Sequence, residues 1–79
     1  MATDMPAIDI PKKEPFRRAW IKYHLALNNS SFAAIARELG IDKNTVQSAM
    51  HRPYPKMERA IAAKIGVEPK KIWPERYAA

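Results

Sequence analysis

The chain has no cysteine, which removes disulfide staples and thiolate metal sites from consideration. A domain of 79 residues must then hold itself together by packing and polar contacts alone, which favours compact helices with short connections. Glycine is nearly absent too, with two in the whole chain, so no glycine-rich phosphate loop can be built. No apolar run approaches the ~20 residues of a membrane span. The acidic opening MATDMPAIDIP lacks the charged-then-apolar order of a secretory signal. No stretch alternates apolar and polar residues in the manner of a half-buried strand. The two histidines, His24 and His51, have no ligand partners nearby, so no metal site is expected. No nucleophile stands beside a base and no carboxylates pair at helical spacing, so neither an enzyme nor a cofactor is expected.

What is plentiful is positive charge: 14 Lys and Arg against 8 Asp and Glu, a net +6. Residues 1–15 hold Lys12 and Lys13 against Asp4, Asp9 and Glu14, so the whole excess lies in residues 16–79. A basic folded part is the composition of a surface that meets phosphate.

Residues 1–15, with Pro6, Pro11 and Pro15, read as a flexible N-terminal arm, and residues 16–77 as one domain. The stretch from Phe16 to about Asn28 is helical in composition, with two competing apolar stripes: Phe16, Trp20, Tyr23 and Leu27, or Ile21 and Leu25. Ser31 is a good N-cap for a second helix to Leu39, with Phe32, Ile35, Ala36 and Leu39 inward and Gly40 as its stop. Asp42 caps a third helix to about His51, with Val46 and Ala49 or Met50 inward. Pro53 breaks it. A fourth helix follows from Lys56 to Ile65, with Pro55 in its first turn and Gly66 after its end. A last turn from Pro69 to Trp73 is closed by Pro74. The fold class expected is all-α.

Within FAAIARELGIDKNTVQSAMH, residues 32–51, Ala36, Gly40 and Val46 are spaced by four and then six. A steep helix crossing needs a small residue at the crossing, a positive φ in the turn and a buried aliphatic beyond it. That spacing is the pattern of a DNA-binding helix-turn-helix. With Val46 and Ala49 turned in, the third helix presents Lys43, Asn44, Gln47, Ser48 and His51 outward as candidate base contacts. Asn and Gln can pair bidentately with adenine, and Lys reaches guanine acceptors. Ser30 and Ser31 would offer backbone N–H groups to a phosphate, and Arg37, Arg52 and Lys56 would hold phosphates on either side. Arg17, Arg18, Lys70 and Lys71 read as solubility charges, and Lys12 and Lys13 as part of an untethered tail.

The stretches Arg52-Pro53-Tyr54-Pro55-Lys56 and Ile72-Trp73-Pro74-Glu75-Arg76-Tyr77 resemble the phage Ner repressors and their bacterial Ner-like relatives, which carry Arg-Pro-Trp-Pro-Lys and Ile-Trp-Pro-Ser-Arg-Tyr. The resemblance runs from about Phe16 to Tyr77. It implies a λ-repressor-like bundle of four to five short helices and a sequence-specific DNA-binding transcriptional regulator, a repressor, acting on double-stranded DNA. It also implies that Phe16, Ile21 and Leu25 face inward, with Trp20 and Tyr23 peripheral, and that Trp73 and Tyr77 pack the last turn onto the bundle. Phe16, Tyr54, Met57 and Glu75 stand where the family has Trp, Trp, Gly and Ser. Lys43, Asn44, Gln47 and Ser48 lie where such families vary, so the operator does not carry over. The expected setting is the bacterial cytoplasm, nucleoid-associated, with no small-molecule effector and a homodimer on DNA as an option. The rival reading is a helical protein-interaction adaptor that has lost DNA, which would expose an apolar or acidic third helix.

Overall fold

The structure is a computed structural model describing residues 10–77. Residues 1–9 of the arm expected over residues 1–15 lie outside the described residues. Six helices follow in chain order: α1 (Glu14–Leu27), α2 (Phe32–Leu39), α3 (Lys43–Gln47), α4 (Pro55–Ile65), α5 (Pro69–Ile72) and α6 (Pro74–Tyr77). A 3-10 turn over Ser48–Met50 prolongs α3. No strand occurs among the described residues.

Local chemistry sets the boundaries. Pro15 sits in the first turn of α1 and Pro55 in that of α4, where a missing N–H costs no hydrogen bond. Ser31 Oγ accepts the Ala34 N–H at 3.0 Å and Asp42 Oδ2 accepts the Asn44 N–H at 2.8 Å; side-chain acceptors relieve the orphan donors of a helix start. Gly40 and Gly66 end α2 and α4 with φ of 69° and 94°, the left-handed geometry that suits glycine. Gly66 then returns the chain, and the Val67 N–H reaches Ala62 O at 3.1 Å.

One core joins every helix but the last. It holds Ile21 and Leu25 of α1, Phe32, Ile35 and Ala36 of α2, and Val46, Ala49 and Met50 around α3. Met57, Ile61 and Ala62 of α4 close it with Ile72 and Trp73. Both Ala49 and Met50 are buried, within the 3-10 turn that leads from α3 toward α4. The α1 stripe that faces the core is Arg17, Ile21 and Leu25, at spacings of four.

Three expectations are corrected here. Phe16 is 62 % exposed rather than inward, since Arg17 occupies the core-facing position beside it. Leu39 is 40 % exposed, at the last position of α2 where the helix turns away. Pro74 follows α5 and its C-cap Trp73, and it also opens one further turn, α6. Residues 10–15 are not an arm: Ile10 packs against the core, Pro11 O accepts from Arg17 Nε at 3.3 Å, and α1 already begins at Glu14.

Candidate nucleic-acid interface

The α2–α3 crossing supplies the frame. Ala36 is buried where the helices meet, and the Ile41 N–H donates to Ala36 O at 2.9 Å as the chain turns through Gly40. Val46 and Ala49 are fully buried, which fixes the roll of α3 and turns Lys43 and Asn44 into solvent. Gln47 is half-buried and its Oε1 accepts from the Arg18 guanidinium at 2.8 Å. Ser48 is also half-buried, and its hydroxyl donates back to Thr45 O at 2.6 Å. That bond occupies the Ser48 proton, so toward a ligand the hydroxyl is left as an acceptor. The His51 ring Nδ1 faces the Glu14 carboxylate.

These contacts reveal a register. His51 meets Glu14, Gln47 meets Arg18, and Lys43 shares an open cleft with Lys22. Both helices step by four residues, in opposite directions, so one edge of α1 runs antiparallel beside α3. The cleft, of about 170 Å³, is lined by Arg18, Lys22 and Lys43 together with Gln47, Ser31 and Phe32. Three cations thus converge at the start of α2, whose first N–H groups point out of the helix end. Among the described residues none of the three forms an ion pair.

The remaining expected phosphate contacts are distributed differently. The Ser30 N–H already donates to Leu25 O at 2.8 Å, so it has nothing to offer a phosphate. Arg37, Arg52 and Lys56 are exposed but do not line the cleft. Arg18 and Lys22 take the places nearest α3; the sequence reading had Arg18 as a solubility charge and passed over Lys22. Their spacing of four on the solvent side of α1 was visible, but not which neighbour that side would meet.

Other charges are committed to the fold. Arg17 is no solubility charge: it is 5 % exposed, and its two terminal nitrogens grip Glu75 at 2.7 and 3.0 Å. The Arg17 hydrogen bond holds the Glu75 carboxyl below its ordinary value. Glu58 is 1 % exposed on α4 and collects the Tyr54 N–H at 2.7 Å, Arg76 Nη1 at 3.0 Å and the Tyr77 hydroxyl at 2.6 Å. The Glu58 carboxylate in turn raises the Tyr77 phenol above its ordinary value. Arg76 Nη1 also donates to Ala49 O at 2.5 Å, and Nη2 reaches Met50 O at 3.5 Å. The guanidinium therefore caps the carbonyl end of the α3 segment with positive charge, where the helix dipole favours it. It also lies 5.4 Å from the centre of the buried Trp73 ring. No group of three or more potential metal-ligating side chains occurs among the described residues, and no described helix is long and apolar enough to cross a membrane.

Residues 16–79 match the family described as winged helix-turn-helix DNA-binding. The chain belongs to that family. What it shares is the helix-turn-helix, since the strands of a wing have no counterpart among the described residues. The Mu-like prophage FluMu DNA-binding protein Ner of Haemophilus influenzae is 38 % identical over 77 residues, 94 % of this chain and 86 % of the relative. The negative regulator of transcription of Escherichia phage D108 is 35 % identical over 65 residues, 82 % and 89 % of the two chains. Its counterpart in Escherichia phage Mu is 34 % identical over 68 residues, 86 % and 91 %. No solved structure matches the chain significantly. The Ner-like resemblance carried by the two sequence motifs is thereby substantiated, and so is the all-α helix-turn-helix fold.

Proposed function

We propose that this family member is a sequence-specific transcriptional repressor that lays α3 in the major groove of double-stranded DNA. The observation that carries the reading is the exposed polar edge of α3 beside the three unpaired cations of the α1–α2 cleft. Lys43, Asn44 and Gln47 are the base readers in this account, with Ser48 as an acceptor and His51 at the far end of the helix. Lys22, Ser31, Arg37, Arg52 and Lys56 hold phosphates and set register; Ser30 drops out of that set. Repression is inferred from two relatives named negative regulators of transcription. Such a protein works where the DNA is, in the cytoplasm on the nucleoid, by binding and without catalysis or an effector.

One feature favours a protein contact as well. Phe16, Tyr23 and Leu27 expose about 60 % of their surface on the outer side of α1, and a second protomer on a two-fold DNA site would have use for such a stripe. The test of the main reading is a DNA titration with Asn44→Ala and Gln47→Ala. Both should weaken the cognate site far more than random DNA, by about 1–3 kcal/mol for each bidentate base pairing removed. Equal weakening on both would mean that another surface reads the bases. No binding to any duplex would leave the adaptor reading in its place.

A further inference from the structure

Of Lys43, Asn44 and Gln47, Gln47 is the one hydrogen-bonded by another helix among the described residues. Its amide has a donor end and an acceptor end, and a free glutamine can present either to a base. A guanidinium has donors only, so the 2.8 Å contact from Arg18 Nη2 settles which end faces α1: the carbonyl Oε1. The Nε2 donors are thereby turned away from α1. Arg18 itself is exposed and has no carboxylate partner among the described residues. Nothing in the fold competes for it.

We propose that Arg18 is a positioning residue for sequence recognition, locking the Gln47 amide so that it offers hydrogen-bond donors to the base it meets. This rests on α3 being the DNA-reading helix. The consequence is chemical. Purines present N7 in the major groove, guanine adds O6, and thymine presents O4, all acceptors, whereas the one polar group of cytosine there is the N4 amino donor. A locked Gln47 accepts any of the first three and rejects cytosine. Without Arg18 the amide rotates by half a turn, Oε1 meets the cytosine amino group, and the exclusion disappears. A plain phosphate contact by Arg18 would have no such signature, because phosphates carry no base identity.

The experiment is selection of bound duplexes from a randomised pool by the full chain, as wild type, Gln47→Ala, Arg18→Ala and the double variant, with melting temperatures measured alongside. The wild type should select a site containing one base pair at which cytosine toward Gln47 is excluded, and Gln47→Ala should relax that pair. Arg18→Ala should relax the same pair by about tenfold in favour of cytosine, leave the other positions intact, and add nothing there in the double variant. If Arg18→Ala weakens every sequence alike and keeps the exclusion, Arg18 is a phosphate contact and the positioning role is wrong. Cytosine preferred by the wild type would contradict it equally. If Gln47→Ala alters no base preference, or the wild type selects no site, the reading of α3 fails first and takes the inference with it. The single-variant arms keep these failures apart.

Discussion

The two ends of α3 treat charge in opposite ways. At its start, Arg18, Lys22 and Lys43 converge on one cleft without a carboxylate among them. Past its finish, the part-buried Arg76 pairs with the buried Glu58, joined by Tyr77 and the Tyr54 N–H, while Arg17 grips Glu75, the residue before Arg76. Buried charge is tolerated only when paired and fully hydrogen-bonded, and α4 with the C-terminal turns meets that demand internally. Like charges gathered at a surface are left for an outside partner to neutralise. One end holds the reading helix in place, and the other leaves it something to read with. The difference sorts the basic residues better than their number does.

The largest effect is expected at the Arg76–Glu58 pair. Arg76→Ala leaves Glu58 buried with two of its three partners, so a drop of about 3 kcal/mol in stability is expected, toward the low end for a broken buried pair. Chemical denaturation measures it, and a drop under about 1 kcal/mol, the worth of an exposed pair, would show that the network is ornamental. The next effect is at the turn that joins the two regions. Nothing lies within 4 Å of a Cβ added at Gly40, but its φ is +69°, so Gly40→Val should cost about 1–3 kcal/mol through backbone strain alone. An unchanged melting temperature would mean that the turn tolerates side chains.

Smaller effects sharpen the contrast by pH. Tyr77 is raised by its bond to Glu58, so that bond stabilises the fold fully below the ordinary phenol value of 10.0 and less as pH climbs through the raised native one. The stability gap between wild type and Tyr77→Phe should therefore narrow in strong alkali. Glu75 is lowered by Arg17, so its share is present above the ordinary value of 4.5 and is lost as pH falls through the lowered native one. Because Glu75 is half-exposed, Glu75→Gln should shift stability at neutral pH by under about 1 kcal/mol.

Local signals carried much of this architecture into the sequence. Ser31, Asp42, Gly40, Gly66 and Pro55 act within a turn of themselves, and each sits where the structure uses it. The spacing of Ala36, Gly40 and Val46 specified the crossing for the same reason. Contacts that cross the chain were not legible: Arg17 finds Glu75 at a separation of 58 residues, and Arg76 finds the α3 carbonyls at 27 and 26. A hint existed. Arg17 sits on the face of Ile21 and Leu25, and Glu58 on that of Ile61, Ala62 and Ile65; a charge on an inward face calls for a partner. The register of α1 beside α3 had no local signal, and so Arg18 read as a solubility charge and Lys22 went unnoticed beside Lys43.

The most direct test sets one lysine from each region against the other. Affinity of the full chain for its selected site should be titrated at two salt concentrations with Lys43→Glu and with Lys70→Glu, Lys70 lying on α5 and paired at 3.5 Å with Glu68. The account predicts a wild-type log–log salt slope on the order of −4 to −6, at about −0.9 per phosphate contact. Lys43→Glu should reduce affinity by about tenfold or more and flatten the slope by roughly one unit, while Lys70→Glu changes neither by more than about the experimental scatter. Equal weakening by the two substitutions, or specific binding indifferent to salt, would contradict the claim that the cleft end of α3 is the DNA face.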